Sequence, residues 1–231
     1  LISLAAIALA SSIGIVLGII AAEFKKTSQL ILTTTNVLYT IPTIALLGIL
    51  ITFTGVGNLS AIIALTLYGL LPMVRTTYTG IEHIDNSIIE SALGMGTTPF
   101  QLLYKVKLPL AFPVIFSGLR SMSIMTIALC GVASFIGAGG LGVAIYRGIT
   151  TNNSVLTVSG SLLIVFIAIA TDIIFAKIEK KIKTRRRKTT LKPLVIFTTL
   201  TCLVFLSVFF FKNRANLANQ QVIIATKPQT E

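Results

Sequence analysis

Few side chains in this sequence are suited to covalent or metal chemistry. His83 is the one histidine, and the two cysteines, Cys130 and Cys202, lie in apolar runs. One histidine and two cysteines in apolar runs exclude a metal site built from His and Cys ligands and give no evidence for a disulfide. A catalytic triad that uses histidine has His83 as its one candidate, with no cysteine beside it. We therefore expect a protein that is not an enzyme and that holds no metal.

The sequence also lacks a nucleotide-binding loop. The pattern G-x-x-x-x-G-K-[ST], whose backbone amides hold the phosphates of ATP, does not occur. Gly137, Gly139 and Gly142 match the dinucleotide fingerprint G-x-G-x-x-G letter for letter. That fingerprint needs a preceding strand and an acid about 20 residues further on. Here an apolar run precedes the glycines and residues 157–168 contain no acid, so we expect this chain to bind no cofactor.

An amphipathic segment from Ile81 to Pro109 separates two long apolar runs. Asp85 is placed to cap a first helix, which Gly94 and Gly96 would end. The apolar residues of this helix recur at helical spacing and give it one apolar face. They are Ile84, Ile88, Ile89, Ala92 and Leu93.

A second short helix follows in the same segment. Thr98 and Pro99 open it, because proline suits the first helical position, where its missing N–H costs nothing. Pro109 is expected to end it. Its apolar stripe consists of Leu102, Leu103 and Val106. Two short helices joined at a corner suit docking to a partner protein.

The residue spacing in this segment resembles the cytoplasmic coupling signature of bacterial ABC importer permeases. That signature reads E-A-A, three residues, G, nine residues, I-x-L-P. Ser91 stands here in place of the second alanine and Val106 in place of the isoleucine. The residues that keep the pattern are Glu90, Ala92, Gly96, Leu108 and Pro109. An ordinary amphipathic helix in a loop between membrane spans is the alternative.

The resemblance implies a type I permease that acts as a homodimer with two copies of a separate ATPase. The ATPase would bind ATP and Mg. We call Ile81–Pro109 the coupling segment, and its part from about Ala92 to Leu102 would sit in a groove of each ATPase copy. Closure of the ATPases would open the path outward, and release of ADP would return it inward. Gly96 would allow the corner between the two helices. The residues expected to serve in coupling are Glu90, Ala92, Leu93, Met95, Gly96, Phe100 and Pro109.

Composition alone indicates a membrane protein. Hydrophobic residues make up 54% of the chain, charged residues 11%, and the mean hydropathy is +0.92, against about 25% charged residues in soluble domains. A bilayer-spanning helix needs about 20 apolar residues. We expect an all-α integral membrane protein with a five-helix type I ABC permease core and one additional C-terminal span. The expected spans are residues 1–22, 30–53, 59–80, 110–135, 155–176 and 193–211.

The second expected span has a polar first half that Pro42 would kink. Polar side chains are costly against lipid, so this half should face protein or a water-filled path. Its Tyr-Thr-Ile-Pro-Thr run resembles the second-span segment of ABC permeases, near the translocation path. The alternative is a Thr-rich helix whose hydroxyls bond its own backbone. The residues assigned to the path or gate are Tyr39, Thr40, Pro42 and Thr43.

Glycines are concentrated where close approach of the backbone is expected. Gly14 and Gly18 form a G-x-x-x-G pair, which lets helices approach closely; a chance pair is the alternative. Residues 136–154 are expected to form a Gly-rich outer loop, whose G-A-G-G-L-G segment resembles the outer mouth of methionine- and glycine-betaine-type permeases. The glycines assigned to this gate are Gly137, Gly139 and Gly140.

Arg75 lies at the exit of the third expected span, and two further charged residues fall within the expected spans. We expect Arg120 to snorkel to the cytoplasmic interface rather than to pair inside the bundle. Asp172 precedes Lys177 and Lys180 by one to two helical turns, and an ion pair with them is expected. A channel or secondary transporter would use buried charges in its spans, and only these two residues qualify.

The positive charge is concentrated at one point of the chain. The net charge is +12, and Lys177–Lys192 contains nine Lys or Arg and one Glu. We expect a cytoplasmic tract that contacts anionic membrane lipid, and no nucleic-acid partner because aromatics are not interleaved. Placing this tract, Lys25, Lys26 and the coupling segment in the cytoplasm satisfies the positive-inside rule. The protein is then multi-pass in a bacterial inner membrane, with an extracytoplasmic C-terminal tail.

The tail is polar until a strand-like run at residues 222–225. This run and residues 226–231 resemble the first strand and ligand-side loop of the substrate-binding domain of glycine-betaine/choline-type importers. We expect the natural protein to continue into such a domain, and to have residues before Leu1; the alternative is a disordered polar tail. The expected organisation is a permease domain at 1–176, a basic linker at 177–192, a sixth span at 193–211 and a truncated substrate-binding domain from 212 to 231.

The expected function is ATP-driven import of a small quaternary-ammonium solute. Glycine betaine, carnitine, choline and ergothioneine, a trimethylammonium betaine, are the solutes that the resemblance implies. Import of another amino-acid-like solute is one alternative. A membrane channel or a scaffold protein is the other, and a scaffold would need no partner ATPase.

Overall fold

Residues 2–184 fold almost entirely into helices. The computed structural model describes these residues, with side chains through residue 182; Leu1 and residues 185–231 lie outside the described part. No β-strand occurs between residues 2 and 184. The helices are α1 (Ile2–Glu23), α2 (Lys25–Thr40), α3 (Thr43–Thr54), α4 (Asn58–Glu82), α5 (Asn86–Gly94), α6 (Pro99–Gln101), α7 (Leu108–Ala133), α8 (Gly142–Thr150) and α9 (Ser154–Thr184).

Between residues 2 and 184, four helices are long and apolar enough to cross a membrane. They are α1, α4, the continuous helix Pro99–Ile136 that contains α7, and the Ser154–Ile182 part of α9. The bent pair α2–α3 is a fifth if it is counted as one span. The prediction of an all-α integral membrane protein is confirmed. The expected sixth span at 193–211, the basic tract beyond residue 184 and the tail lie outside the described residues.

The second apolar segment is broken rather than kinked. Helices α2 and α3 meet at 95°, so the expected single span over 30–53 is wrong in this respect. Pro42 has no N–H for the helix ladder, and its ring forces the preceding residue out of helical geometry. Ile41 accordingly has an extended backbone, with φ −66° and ψ 126°. The break lies at the residues assigned to the path.

Helices α1 and α4 pack closely together, as the glycine pair predicts. A Cβ on Gly14 would lie 2.7 Å from Cβ of Met73, and one on Gly18 would lie 2.5 Å from Cβ of Thr77. Real Cβ atoms do not approach so closely, so these positions admit no side chain without movement of α1 or α4. The G-x-x-x-G prediction is confirmed.

Pro109 does not end a helix. The helix that starts at Pro99 runs on through a π-helical stretch, Leu102–Lys107, into α7. A π-helical stretch is wider than α-helix, and such bulges commonly accommodate a proline that cannot donate to the helix ladder. The predicted stop at Pro109 is therefore wrong, and the second coupling helix and the fourth span form one rod of 38 residues.

Two other boundaries differ from expectation. The Gly-rich stretch predicted as an outer loop contains α8, whose Gly148 packs against Thr157 of α9. Helix α9 continues to Thr184, about two turns beyond the expected end at Ala176. Only 6% of its most apolar stretch is buried within this chain, so most of α9 is available to lipid or a partner.

The buried apolar side chains of the described residues form two clusters. The first lies among α1, α4 and α7, and it reaches the coupling segment through Ile81 and Leu108. The second lies where α3, α4 and the end of α7 meet, near the glycines of the predicted gate. Its buried members are Leu46, Leu47, Ala61, Ala64, Tyr68, Ala133, Ile136 and Ala138. The two predicted functional regions are thus built on opposite halves of the core.

Candidate functional site

The first helix of the coupling segment is capped as its sequence predicts. The backbone N–H of Ser87 donates to Oδ1 of Asp85 at 2.9 Å, and α5 starts at Asn86. This hydrogen bond holds the pKa of Asp85 below its ordinary value. The cap satisfies one of the amides that a helix start leaves without a partner, so α5 begins at a fixed residue.

The corner after α5 depends on glycine. Gly96 has φ +80°, a left-handed conformation that other residues adopt only with strain. Apart from Gly96 itself and its two chain neighbours, no described residue has an atom within 4 Å of the position that a Cβ on Gly96 would take. The requirement is therefore one of backbone conformation and not of space within the chain. Thr97 supports the corner, because its Oγ1 donates to the carbonyl of Ala92 at 2.7 Å.

The second coupling helix starts with a capping box. Thr98 Oγ1 accepts from the backbone N–H of Gln101 at 3.3 Å, and the side chain of Gln101 accepts from the N–H of Thr98 at 3.3 Å. Pro99 occupies the first turn, as predicted. Both helices are thus fixed at their starts by local side-chain hydrogen bonds.

The corner presents large apolar side chains to solvent. Met95 is 79% exposed, Phe100 is 75% exposed and Leu93 is 49% exposed. The ring of Phe100 stacks on Tyr104 with 6.2 Å between centroids and 4° between planes. We call Leu93, Met95 and Phe100 the coupling patch. Exposed apolar side chains on a rigid, capped scaffold are typical of a docking surface.

The other residues assigned to coupling lie in different environments. Glu90 is exposed on α5. Ala92 is only 2% exposed, so it packs inside the segment and does not face a partner. Pro109 is half-buried in the rod that leads into α7. The structure therefore places four of the seven predicted residues, Glu90 and the coupling patch, where a partner could contact their side chains.

The residues assigned to the path surround the break between α2 and α3. The rings of Tyr39 and Tyr68 meet edge to face, with 5.8 Å between centroids. Tyr39 Oη lies 3.5 Å from Sδ of Met125 on α7. The hydroxyl of Tyr68 donates to the carbonyl of Ile41, at the break itself. Tyr39, one of the predicted path residues, thus contacts Tyr68 of α4 and Met125 of α7, neither of which was predicted from the sequence.

The threonines of α2 behave in part as the alternative interpretation predicted. Thr35 donates to the carbonyl of Ile31 at 2.9 Å, and Thr40 donates to that of Val37 at 2.7 Å. These bonds satisfy the hydroxyls without a partner from another helix. Pro42 is exposed and Thr43 is half-buried at the start of α3.

The predicted gate glycines form a left-handed turn. Gly137, Gly139 and Gly140 have φ values of 73°, 70° and 84°, which only glycine adopts readily. A Cβ on Gly137 would lie 3.0 Å from Cγ1 of Val56, in the turn between α3 and α4. The turn therefore packs at the end of the core that also holds the α2–α3 break.

An ion-pair cluster between α7 and α9 differs from expectation. Arg120 Nε and Nη2 donate to the two carboxylate oxygens of Asp172 at 2.5 and 2.9 Å, and Nη1 donates to Glu179 at 3.0 Å. The predicted snorkelling of Arg120 is wrong, and Asp172 pairs with Arg120 rather than with the lysines that follow it. Asp172 and Glu179 are seven residues apart and therefore share one face of α9. That spacing is the signal in the sequence that could have identified the pair.

Two curated relatives align with most of the chain. Ergothioneine transport permease/ergothioneine binding protein EgtU of Helicobacter pylori (strain G27) is 35% identical over 225 residues, covering 94% of this chain and 41% of that protein. Choline transport system permease protein OpuBD of Bacillus subtilis (strain 168) is 38% identical over 182 residues, covering 78% of this chain and 80% of OpuBD. The chain thus spans less than half of the first relative and most of the second.

A solved structure and a family profile agree with these relatives. The native crystal form of the inward-facing MetNI methionine ABC transporter superposes with a TM-score of 0.73 at 23% identity, covering 78% of this chain and 91% of that one. At this identity the likeness shows a shared fold. The profile described as "Binding-protein-dependent transport system inner membrane component" matches residues 14–184. The chain therefore belongs to the family of inner-membrane components of binding-protein-dependent transport systems, the ABC permeases.

Proposed function

We propose that this chain forms the translocation path of an ATP-driven importer for a small quaternary-ammonium solute. The observation that carries the proposal is the coupling patch, which is exposed and held on two capped helices inside a chain of the ABC permease family. The solute class rests on the relatives, whose names specify ergothioneine and choline. Glycine betaine, carnitine, choline and ergothioneine are the candidates.

The coupling patch is proposed to enter a groove of a partner ATPase. Burying a Met or Phe side chain contributes about 1.5–3 kcal/mol, and Met95 and Phe100 are both largely exposed in the chain alone. The second helix of the segment is continuous with α7, so a push on the patch is transmitted along one rod into the membrane bundle. The ATPase holds ATP and Mg, and closure of the ATPases opens the path outward.

A homodimer with two ATPase copies is the proposed assembly. Thr33, Thr34 and Asn36 on α2 are exposed in the single chain. Polar side chains in a membrane span are costly against lipid, so a second copy or a water-filled path should cover this face. This argument favours α2 as part of the interface around the path.

The coupling segment is proposed to face the cytoplasm. Lys107 Nζ lies 2.6 Å from Oε1 of Glu23, so the end of α1 and the coupling segment lie at the same end of the bundle. Lys25 and Lys26 follow Glu23 closely. The positive-inside rule favours the cytoplasmic side of a bacterial inner membrane for such an end.

A substrate-binding domain is proposed to follow residue 231, outside the cytoplasm. The support is the alignment of 94% of this chain with EgtU, whose printed name joins a permease to a binding protein. The basic linker and the sixth span at 193–211 would then connect the permease core to this domain.

Hydrolysis of ATP by the reconstituted complex tests the proposal. The full-length protein is purified with its ATPase in lipid nanodiscs, and hydrolysis is measured with glycine betaine, carnitine, choline, ergothioneine and methionine in turn. We expect stimulation by at least one quaternary-ammonium solute and none by methionine. Stimulation by methionine alone would refute the proposed quaternary-ammonium class of solute. Failure of the chain to recruit an ATPase would refute the proposal that it is part of an importer.

A further inference from the structure

Tyr39 presents a partly open aromatic face at the break between α2 and α3. Tyr39 is 42% exposed in this chain, whereas Tyr68 behind it is 5% exposed. The edge-to-face contact with Tyr68 and the contact with Met125 Sδ fix the ring from two sides. Tyr68 is itself fixed by its hydrogen bond to the carbonyl of Ile41. The ring of Tyr39 is thus held in place while one side of it stays accessible.

The break also adds partial negative charge. The last carbonyl groups of a helix have no partner within it, and the C-terminal end of a helix is the negative end of its dipole. Helix α2 ends at Thr40, and Pro42 has no N–H to donate to the carbonyl of Leu38. Broken membrane helices stabilise cations with such carbonyl groups.

No described carboxylate is placed to balance a cation at this break. Within residues 2–184, four of the acids lie next to the coupling segment or its end of the bundle, and the other two pair with Arg120. These acids are Glu23, Glu82, Asp85, Glu90, Asp172 and Glu179. The break lies about 24 Å along α2 from Lys25, at about 1.5 Å per residue. A cation at this depth would be stabilised by aromatic faces and carbonyl groups.

We propose that Tyr39, supported by Tyr68 and Met125, forms a cation–π transit site for the quaternary ammonium group of the solute inside the membrane path. The proposal rests on the proposed function and adds a residue of the permease itself that contacts the solute. Alkylammonium groups bind aromatic faces because the ring quadrupole attracts the cation. A transit site must bind weakly enough to release the solute, and a single open ring without a carboxylate satisfies that condition.

The test compares choline with its neutral isostere, 3,3-dimethylbutan-1-ol, in the full-length protein bound to its ATPase. Tyrosines are replaced biosynthetically by 3-fluorotyrosine, and the ¹⁹F resonance of Tyr39 is assigned from its loss in Tyr39→Phe. We expect choline to shift this resonance in a saturable way and the isostere to leave it unchanged. Tyr146 is the matched control, because the residue is 39% exposed and its ring meets that of Phe135 edge to face, with 5.1 Å between centroids.

Uptake by variants supplies a second readout. Tyr39→Leu removes one partly exposed cation–π contact, so this variant should take up choline about 2- to 5-fold more slowly than the parent protein. Tyr39→Phe keeps an aromatic face and should take up choline at close to the parent rate. Equal shifts with choline and the isostere, or no shift with either, would overturn the transit site. The ¹⁹F result does not depend on transport, so a parent protein that takes up choline without a shift refutes only the site. A parent that takes up no quaternary-ammonium solute refutes the proposed function instead.

Discussion

Replacing Gly96 by alanine should impair coupling without unfolding the permease. The φ of Gly96 is +80°, and this conformation costs a residue with a side chain roughly 1–2 kcal/mol. Beyond the two neighbouring residues, no described residue lies within 4 Å of the added methyl group, so no clash with the described residues adds to that cost. The population of the docking-competent corner should therefore fall about 5- to 30-fold.

Gly94 supplies the matched control for this prediction. It lies two residues earlier, at the end of α5, and has equally open space around its Cβ position. Its φ is not positive, so Gly94→Ala adds the same methyl group without the conformational cost. The assay is solute-stimulated ATP hydrolysis in nanodiscs, together with the membrane yield of each variant. Equal hydrolysis by Gly96→Ala and Gly94→Ala would refute the argument that the left-handed corner is required.

Three further predictions concern the scaffold. Arg120→Gln should lower the thermal unfolding midpoint, because it leaves Asp172 without its bidentate partner, and adding Asp172→Asn should restore part of the loss; an unchanged midpoint would contradict the ion-pair role. Gly14→Ala should reduce the yield of folded protein, since overpacking costs about 1–3 kcal/mol, whereas Gly48→Ala in open space should not; equal yields would contradict the close α1–α4 contact. At pH values above the ordinary carboxyl pKa, the Asp85 cap stabilises α5. This stabilisation is lost as the pH falls through the lowered pKa of Asp85. The amide proton resonance of Ser87 should shift with this titration, and the shift should be absent in Asp85→Asn.

The features that the sequence predicted correctly depend on residues close together in the chain. The helix starts predicted at Asp85 and at Thr98 are set by hydrogen bonds that span two or three residues. The spans follow from runs of apolar residues, and Gly14 and Gly18 are one helical turn apart. Each of these signals is complete within a short window, so a pattern can identify it.

The features that the sequence predicted wrongly or missed depend on contacts between distant residues. Arg120 and Asp172 are separated by 52 residues, and Tyr39 and Met125 by 86. No local pattern specifies which helix faces which. The effect of a proline on a helix is ambiguous in the sequence for a related reason. Pro42 interrupts the helix between α2 and α3, whereas Pro109 lies inside a continuous helix whose π-helical stretch accommodates it.

Retention of the partner ATPase by the coupling patch tests the central claim most directly. Phe100→Ser removes an exposed ring from the patch, and Phe24→Ser removes a ring that is 61% exposed in the link between α1 and α2. Full-length tagged protein is isolated from membranes, and the bound ATPase is quantified. We expect Phe100→Ser to lose most of the ATPase, about tenfold or more for a buried aromatic contact, while Phe24→Ser retains it. Full retention by Phe100→Ser would contradict docking through the coupling segment.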